Sequence, residues 1–406
     1  MDIIGIKAIG DKLCTNIERV IIGKSGEIRL ILAALLAGGH VLLEDVPGTG
    51  KTVLAKALAR SIDIGFRRVQ FTPDLLPSEL TGLNVYSPKT GDFNFRQGSL
   101  FSNILLADEI NRATPRTQSG LLESMEERQV SVDGKTYPLP SPYFVIATQN
   151  PVETQGTFPL PEAQLDRFLI QLKLGYPDEN ESVQVLRRFV GATGASGAGG
   201  NANFGAAASA GMGAAAAAGM GASSVAGKNA GAGTGAGSVD RTGGTEVGFG
   251  SAASTGAGNT AGAGASSVAG GANASSAPAL DALAPVCGSD NLHDAINAVR
   301  GVYIHDEVYR YIVRLAEATR THEAVALGVS TRGCIALARF AQAYVALAGR
   351  AFATPDDIKL LAPPVFSHRL ILRGGRRSLQ SATALEDVLK SVEPPVEDWP
   401  APPEKK

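Results

Sequence analysis

The stretch "HVLLEDVPGTGKT", His40 to Thr52, decides how the rest of the chain is read. A short apolar run leads into a glycine-containing turn, then Gly50-Lys51-Thr52, then the helical pattern "GKTVLAKALARSI" (50–62). Strand, tight loop and helix in that order are the mechanical setting of a phosphate-binding loop. Backbone N–H groups from Pro47 (which itself lacks one) through Gly48, Thr49, Gly50, Lys51 and Thr52 would cradle phosphate at a helix N-terminus. Unsatisfied donors and the helix dipole both favour an anion there. Lys51 is placed to reach the β- and γ-phosphates and Thr52 to ligate Mg²⁺. Asp45 stands where the usual pattern has glycine. It falls at the strand-to-loop bend, where a positive φ is expected, and aspartate tolerates that better than most residues.

Working outward, four more short runs precede position 175: "FRRVQF" (66–71), "NILLADE" (103–109), "YFVIATQ" (143–149) and "FLIQLKL" (168–174). Apolar runs of this length, separated by helical patterns, predict parallel strands buried on both faces. The fold class is therefore α/β, a three-layer αβα core with a parallel sheet and right-handed crossovers. "GLNVYSPKTGDFNFRQG" (82–98) and "RQVSVDGKTYPLP" (128–140) read as inserted β-hairpins, the second turning at Asp133-Gly134.

The strand ends carry the chemistry. "NILLADEINR" finishes in adjacent acids. Asp108 is placed to hold Mg²⁺ through water and Glu109 to act as general base on the attacking water. "YFVIATQNP" ends in Asn150, positioned to orient water near a γ-phosphate. Arg167 directly precedes a strand, where an exposed guanidinium could serve a neighbouring subunit's nucleotide; its plain alternative is an ion pair with Asp166 or Glu162. Arg332 opens a later helix and could touch the nucleotide from above; its plain alternative is a surface residue at a helix start.

Beyond the core, composition collapses to Gly, Ala, Ser and Thr from 191 to 277, broken by four charges (Lys228, Asp240, Arg241, Glu246) and two aromatics (Phe204, Phe249). Such a stretch buries too little apolar surface to offset its ordering entropy, so it is expected to be disordered. "DEVYRYIVRLAEATRTH" (306–322) and "TRGCIALARFAQAYVALAGR" (331–350) place Val308, Tyr311, Ile312, Leu315 and Leu337, Phe340, Ala341, Tyr344, Ala348 on single helical faces. "TPDDIKLLAP" (354–363) has a Thr cap, Pro at the first helical position and early acids. Together they predict a small all-α domain.

The 406 residues carry a net charge of −2, against a surface built to coat nucleic acid or anionic lipid. Three scattered cysteines, Cys14, Cys287 and Cys334, suggest neither disulfides nor zinc and point to a reducing cytoplasm. "MDIIGIKAIGD" lacks the basic-then-apolar order of a signal peptide. The longest apolar run, "LILAALLAGG" from Leu30, is about half the length of a membrane span and reads as a buried helix ended by Gly38 and Gly39. A soluble protein without stable membrane insertion is expected.

Taken together, the chain resembles the AAA+ ATPases, and more narrowly the MoxR family. The resemblance rests on the opening stretch with "FTPDLLPSELTG" (71–82) and "LLADEINRATPRTQSGLLESMEERQVSVDG" (105–134). "FVIATQNPVETQGTFPLPEAQLDRF" (144–168), "TRTHEAVALGVSTRGCIALARFAQAYVALAGR" (319–350) and "SHRL" (367–370) extend it. "LLEDVPGTGKT", with Asp before Val-Pro, is itself a form common in that family. The resemblance implies Walker A roles for Lys51 and Thr52 and Walker B roles for Asp108 and Glu109. Asn150 matches sensor 1, Arg167 the arginine finger and Arg332 the sensor-2 arginine. "VIIGK" (20–24) matches the segment packing on adenine, which adds Ile22 and Gly23 to the nucleotide site beside Gly50 and Val53 of the helix start. The lid motif reads "GVSTRGC" (328–334) where the family usually has Gly-Ala-Ser-Pro-Arg-Ala.

The implied domains are an ATPase core over 1–177, a first lid helix over 178–190, the insert 191–277, the lid over 281–390 and a Pro-rich tail 391–406. The implied protein is an ATP- and Mg²⁺-dependent homo-oligomeric ring, a hexamer. It would remodel or mature a client protein, for metal-cofactor insertion or complex assembly, often beside a partner with a von Willebrand factor A domain. A nucleic-acid motor is the alternative. The hairpin stretches "VYSPKTGDFNF" and "VSVDGKTYPL" offer one lysine each (Lys89, Lys135), fewer basic residues than a motor would want. A scaffold without turnover would need a broken catalytic residue, and a small-molecule kinase would not need the sensor and finger residues.

Overall fold

Val41 and Leu43 point into one hydrophobic cluster and Leu42 into another, and all three are fully buried. The same alternation recurs in the central strands. Ile104 and Leu106 face the first cluster while Leu105 and Ala107 face the second, as do Phe144 and Ile146 against Val145 and Ala147. Continuous apolar runs arise because both pleat faces are covered.

The computed structural model describes residues 1–44, 48–150, 156–191, 280–374 and 378–396. Asp45 with its expected φ, Pro47, the insert beyond 191 and the tail from 397 lie outside the described residues. In chain order come α1 (Ile3–Glu18), α2 (Ser25–Leu36), β1 (Val41–Glu44), α3 (Lys51–Ile62), β2 (Phe66–Gln70) and the short α4 (Pro77–Thr81). The hairpin β3 (Gly82–Tyr86) and β4 (Phe93–Gln97), then β5 (Ile104–Asp108) and α5 (Pro115–Glu127), follow. A second hairpin pairs β6 (Gln129–Val132) with β7 (Lys135–Pro138), before β8 (Phe144–Gln149), α6 (Glu162–Leu165), β9 (Ile170–Leu172) and α7 (Glu179–Gly191). The C-terminal part holds α8 (Ser289–Val299), α9 (Asp306–Thr321), β10 (Val325–Leu327), α10 (Thr331–Leu347), α11 (Pro355–Phe366), β11 (Ile371–Leu372) and α12 (Ser378–Ser391).

The five core strands run parallel in the order β2-β5-β8-β1-β9. All five expected strands and both hairpins form where the sequence places them. The hairpins are tied to each other: Asn84 Nδ2 donates to Asp133 Oδ2 at 2.6 Å, and the Phe95 and Tyr137 rings stack at 3.9 Å. In the lid, Val308, Tyr311, Ile312 and Leu315 are buried on one face of α9, and a Thr354–Asp357 capping box opens α11. Ser330 Oγ accepts from the Gly333 N–H at 3.3 Å, so "GVSTRGC" starts α10 with an ordinary cap.

The hydrophobic cluster on one sheet face does not stop at the core. Ile6, Leu13 and Ile17 of α1 share it with Leu337 and Phe340 of α10. A Cβ on Gly10 would stand 2.4 Å from Leu347 Cδ2, so only glycine admits α10 this closely. The N-terminal helices, read from sequence as part of the core, thus pack against the lid as well.

His40, 4% exposed, staples the start of β1 to its surroundings. Its Nδ1 accepts from the Val145 N–H at 3.0 Å, and its Nε2 faces the Met125 carbonyl at 3.1 Å. Those partners require the neutral Nε2–H tautomer. Burial accordingly pushes the imidazole down to about 4. The unfolded chain, with a His near 6.5, binds this proton first, so the contribution is full above pH 6.5 and lost as pH falls toward 4. The loss amounts to about 3 kcal/mol. We expect His40→Gln to be less stable than the native chain at pH 7, and the difference between their urea midpoints to shrink on going to pH 4.5. A difference that stays constant across this range would show that His40 does not titrate on unfolding.

Candidate functional site

The loop after β1 enters α3 through Gly48 and Gly50, with φ of 87° and 85°. Around the Cβ position of Gly48 there is nothing within 4 Å, and around that of Gly50 only Ile21 Cδ1 at 3.8 Å. Neither glycine position is crowded, and Lys51, Thr52 and Val53 are half-buried in the first turn of α3. Ile21 brings the 20–24 segment near Gly50, and Lys24 Nζ donates to the Tyr176 carbonyl at 3.3 Å, while Gly23 lies against the Glu181 side chain at the start of α7.

Strand register brings the polar groups to the same sheet edge. Gln70 stands beside Asp108, and Ala107 beside Ala147 one residue before Thr148. Asp108 Oδ1 accepts from Thr148 Oγ1 at 2.7 Å, while Oδ2 accepts from Arg68 at 2.6 and 3.1 Å. Glu109 sits in the left-handed region, at φ 56°, a backbone cost of order 1–3 kcal/mol for a non-glycine residue. It is held there by its N–H donating to Thr148 Oγ1 at 2.8 Å. Its Oε2 accepts from Gln70 Nε2 at 2.6 Å and pairs with Arg112 at 3.0 Å. Asn150 is buried one strand away, with its carbonyl 3.4 Å from Asn111 Nδ2. Arg68, Gln70, Asn111, Arg112 and Thr148 escaped sequence reading. Only their place at strand ends, or just past an acidic pair, could have flagged them.

The two arginines lie elsewhere. The Leu169 N–H donates to the His40 carbonyl at 2.8 Å, which puts the turn containing Arg167 beside the start of β1. Arg167 donates to the Leu122 carbonyl at 3.0 Å and pairs with Glu126 at the end of α5. Arg332 pairs with the other oxygen of the same Glu126 carboxylate. Gly38, Gly39, His40, Glu126, Arg167 and Arg332 line one cavity of about 230 Å³. The loop 48–52 follows the opposite end of β1, about 13 Å away along a strand of four residues. This corrects the sequence expectation for Arg332, which does not overhang its own chain's loop. The cause is the lid's docking: residues 367–370 pack on 166–169, which brings the start of α10 to the strand-start edge. The alternative ion pair of Arg167 with Asp166 does not form, because the Asp166 carboxylate is taken by Arg369 at 2.6 Å; the Glu162 side chain lies outside the described residues.

Comparison with known proteins bears on this arrangement. Residues 40–170 match the model of the ATPase family associated with various cellular activities, and residues 317–391 match its lid domain. The uncharacterized protein YeaC of Bacillus subtilis is 39% identical over 95% of each chain. Chaperone MoxR1 of Mycobacterium tuberculosis is 47% identical over 43% of this chain and 46% of its own. The chain belongs to the MoxR family of AAA+ ATPases. A solved ATPase structure from Cytophaga hutchinsonii extends the likeness through the whole MoxR fold, with TM-score 0.69, 29% identity and 97% of each chain covered.

As a MoxR-family protein it is an ATP hydrolase, and the loop is suited to a nucleotide. Two positive-φ glycines with uncrowded Cβ positions precede a helix N-terminus, the setting in which backbone N–H groups favour an anion, and Ile21 lies beside the second of them. Asp108 and Thr52 carry oxygen groups of the kind Mg²⁺ prefers. Among the described residues no helix is long and apolar enough to cross a membrane.

Proposed function

We propose that this MoxR-family ATPase works as a homo-oligomeric ring, a hexamer, in which each subunit completes the ATP site of its neighbour. The observation that carries the reading is the separation just described. Lys51, Thr52, Asp108, Glu109 and Asn150 share one sheet edge, while Arg167 and Arg332 meet at the other. Arginines so far from their own loop are of use to a head-to-tail neighbour, and such a heterologous contact gives a ring where its rotation closes. In that assembly the 48–52 backbone and Lys51 bind the phosphates, with Ile22, Gly23 and Val53 against the nucleoside. Thr52 and Asp108 would hold Mg²⁺, which when bound would supply charge neutralisation for the phosphates. Glu109 takes the proton of the attacking water, Asn150 orients that water, and the neighbour's Arg167 and Arg332 stabilise charge on the γ-phosphate.

The output we infer is mechanical: remodelling, assembly or maturation of a client protein in the cytoplasm. Kinship with a chaperone-named relative supports it. Metal-cofactor insertion and a von Willebrand factor A partner are the finer form of this proposal. The core over 1–177, first lid helix over 178–190 and lid over 281–390 supply the machine, with 191–277 and 391–406 as appendages.

Velocity sedimentation tests the ring. The native chain is expected to assemble with saturating ATP, and Lys51→Ala to lose ATP affinity. A chain that hydrolyses at full rate while monomeric would end this reading, and undiminished affinity in Lys51→Ala would remove the loop assignment.

A further inference from the structure

We propose that Arg369, on the lid, is a positioning residue for Arg167, so that one subunit's lid arms hydrolysis in the next. The inference rests on the reading of Arg167 as a finger acting in trans. Arg369 follows α11, and its side chain is only 3% exposed. Nearly all its donors are spent on the turn that carries Arg167. Nε donates to Asp166 Oδ1 at 2.6 Å, Nη2 to the Phe168 carbonyl at 2.7 Å, and Nη1 to the Leu169 carbonyl at 3.1 Å. His368 Nε2 adds a contact to the Phe168 carbonyl at 3.1 Å. The backbone is thus gripped on both sides of residue 167, while the Arg167 side chain, among the described residues, makes one carbonyl contact and the pair with Glu126.

A cation buried this deeply is tolerable only if its partners are in place, so the arrangement is stiff. The planar guanidinium fork makes it stiff in a way a lysine cannot reproduce, since an ammonium cannot reach an aspartate and two carbonyls in one plane. Arg332 reaches Glu126 from the same lid, from the start of α10. The lid therefore supplies one of the paired arginines and sets the other. A lid displaced in one subunit would disarm the neighbour's site while leaving its own loop, acids and Asn150 untouched.

Complementation in mixed rings separates this from a merely structural role. Glu109→Gln subunits cannot turn over their own ATP but offer an intact finger. Arg167→Ala subunits retain their own acids but offer no finger. Mixed, they should recover hydrolysis that neither shows alone. Adding Arg369→Lys to the Glu109→Gln partner should remove the recovery by about 10²-fold, the cost of a misplaced catalytic group. Adding it to the Arg167→Ala partner should leave the recovery intact, because that subunit's finger is already gone. Loss in both mixtures would mark Arg369 as a structural pin only, and loss in neither would make it dispensable; each overturns the proposal. Failure of the parent mixture to recover would instead overturn the trans reading, and this inference with it. Should Arg369→Lys fail to fold, Asp166→Asn removes the charge partner while keeping the carbonyl contacts, and the same asymmetry is expected.

Discussion

If the proposed ring holds, Arg167→Ala is expected to lower steady-state hydrolysis by about 10³–10⁵-fold, the usual worth of an arginine finger supplied in trans. The affinity of each subunit for ATP should not change, because the residue lies across the sheet from its own loop. The site's construction supports so large an effect. Arg167 and Arg332 are held on the two oxygens of the Glu126 carboxylate, so their guanidiniums sit side by side around one anionic group. A γ-phosphate arriving from a neighbour would meet two preorganised cations rather than two mobile ones, and preorganised charge costs no rearrangement as the reaction proceeds. Titrating the variant into native protein should depress the rate more steeply than simple dilution, since each inactive finger silences a native neighbour. A linear decline, or an undiminished rate for the pure variant, would remove the trans mechanism.

The second large effect is expected at Glu109. Glu109→Gln keeps the shape but removes the proposed base, and loss of a positioned base costs typically about 10²–10⁴-fold. ATP should still bind and assembly should persist, which makes this variant a trap for clients. Its left-handed backbone and the Thr148 contact belong to the main chain and survive the substitution. The local fold is therefore expected to hold, and lost turnover can be read as lost chemistry. Measured turnover within a factor of two of native would mean that another group carries the proton. Co-purification of a protein with the ATP-loaded variant, absent from Lys51→Ala, would identify a client.

The sequence was most readable where the physics is local. Apolar runs of strand length, the glycine turn before Lys51, the Thr354 cap and both hairpins are signals contained in a dozen residues, and each appears where expected. What escaped was relational. Arg68, Asp108 and Thr148 are forty residues apart in steps, and they meet only because neighbouring strands align in one register. No periodicity within a single strand reveals its register with another. Arg332 was misplaced for a related reason. Its helix start was legible, but the sheet edge that receives it depends on Arg369 and His368 docking on 166–169, roughly two hundred residues away. Glu126 was passed over because a glutamate at the end of an amphipathic helix ordinarily faces only water.

The joined hairpins have a mechanical consequence. A lone two-stranded ribbon is a compliant spring, bending and twisting at its base. Here the Asn84–Asp133 hydrogen bond and the Phe95–Tyr137 stack fasten two ribbons side by side. One of them is rooted just after α4 and the other directly on the end of α5. A tug on either tip is therefore shared between two anchor points, and the pair resists torsion as a braced strut rather than as two loose fingers.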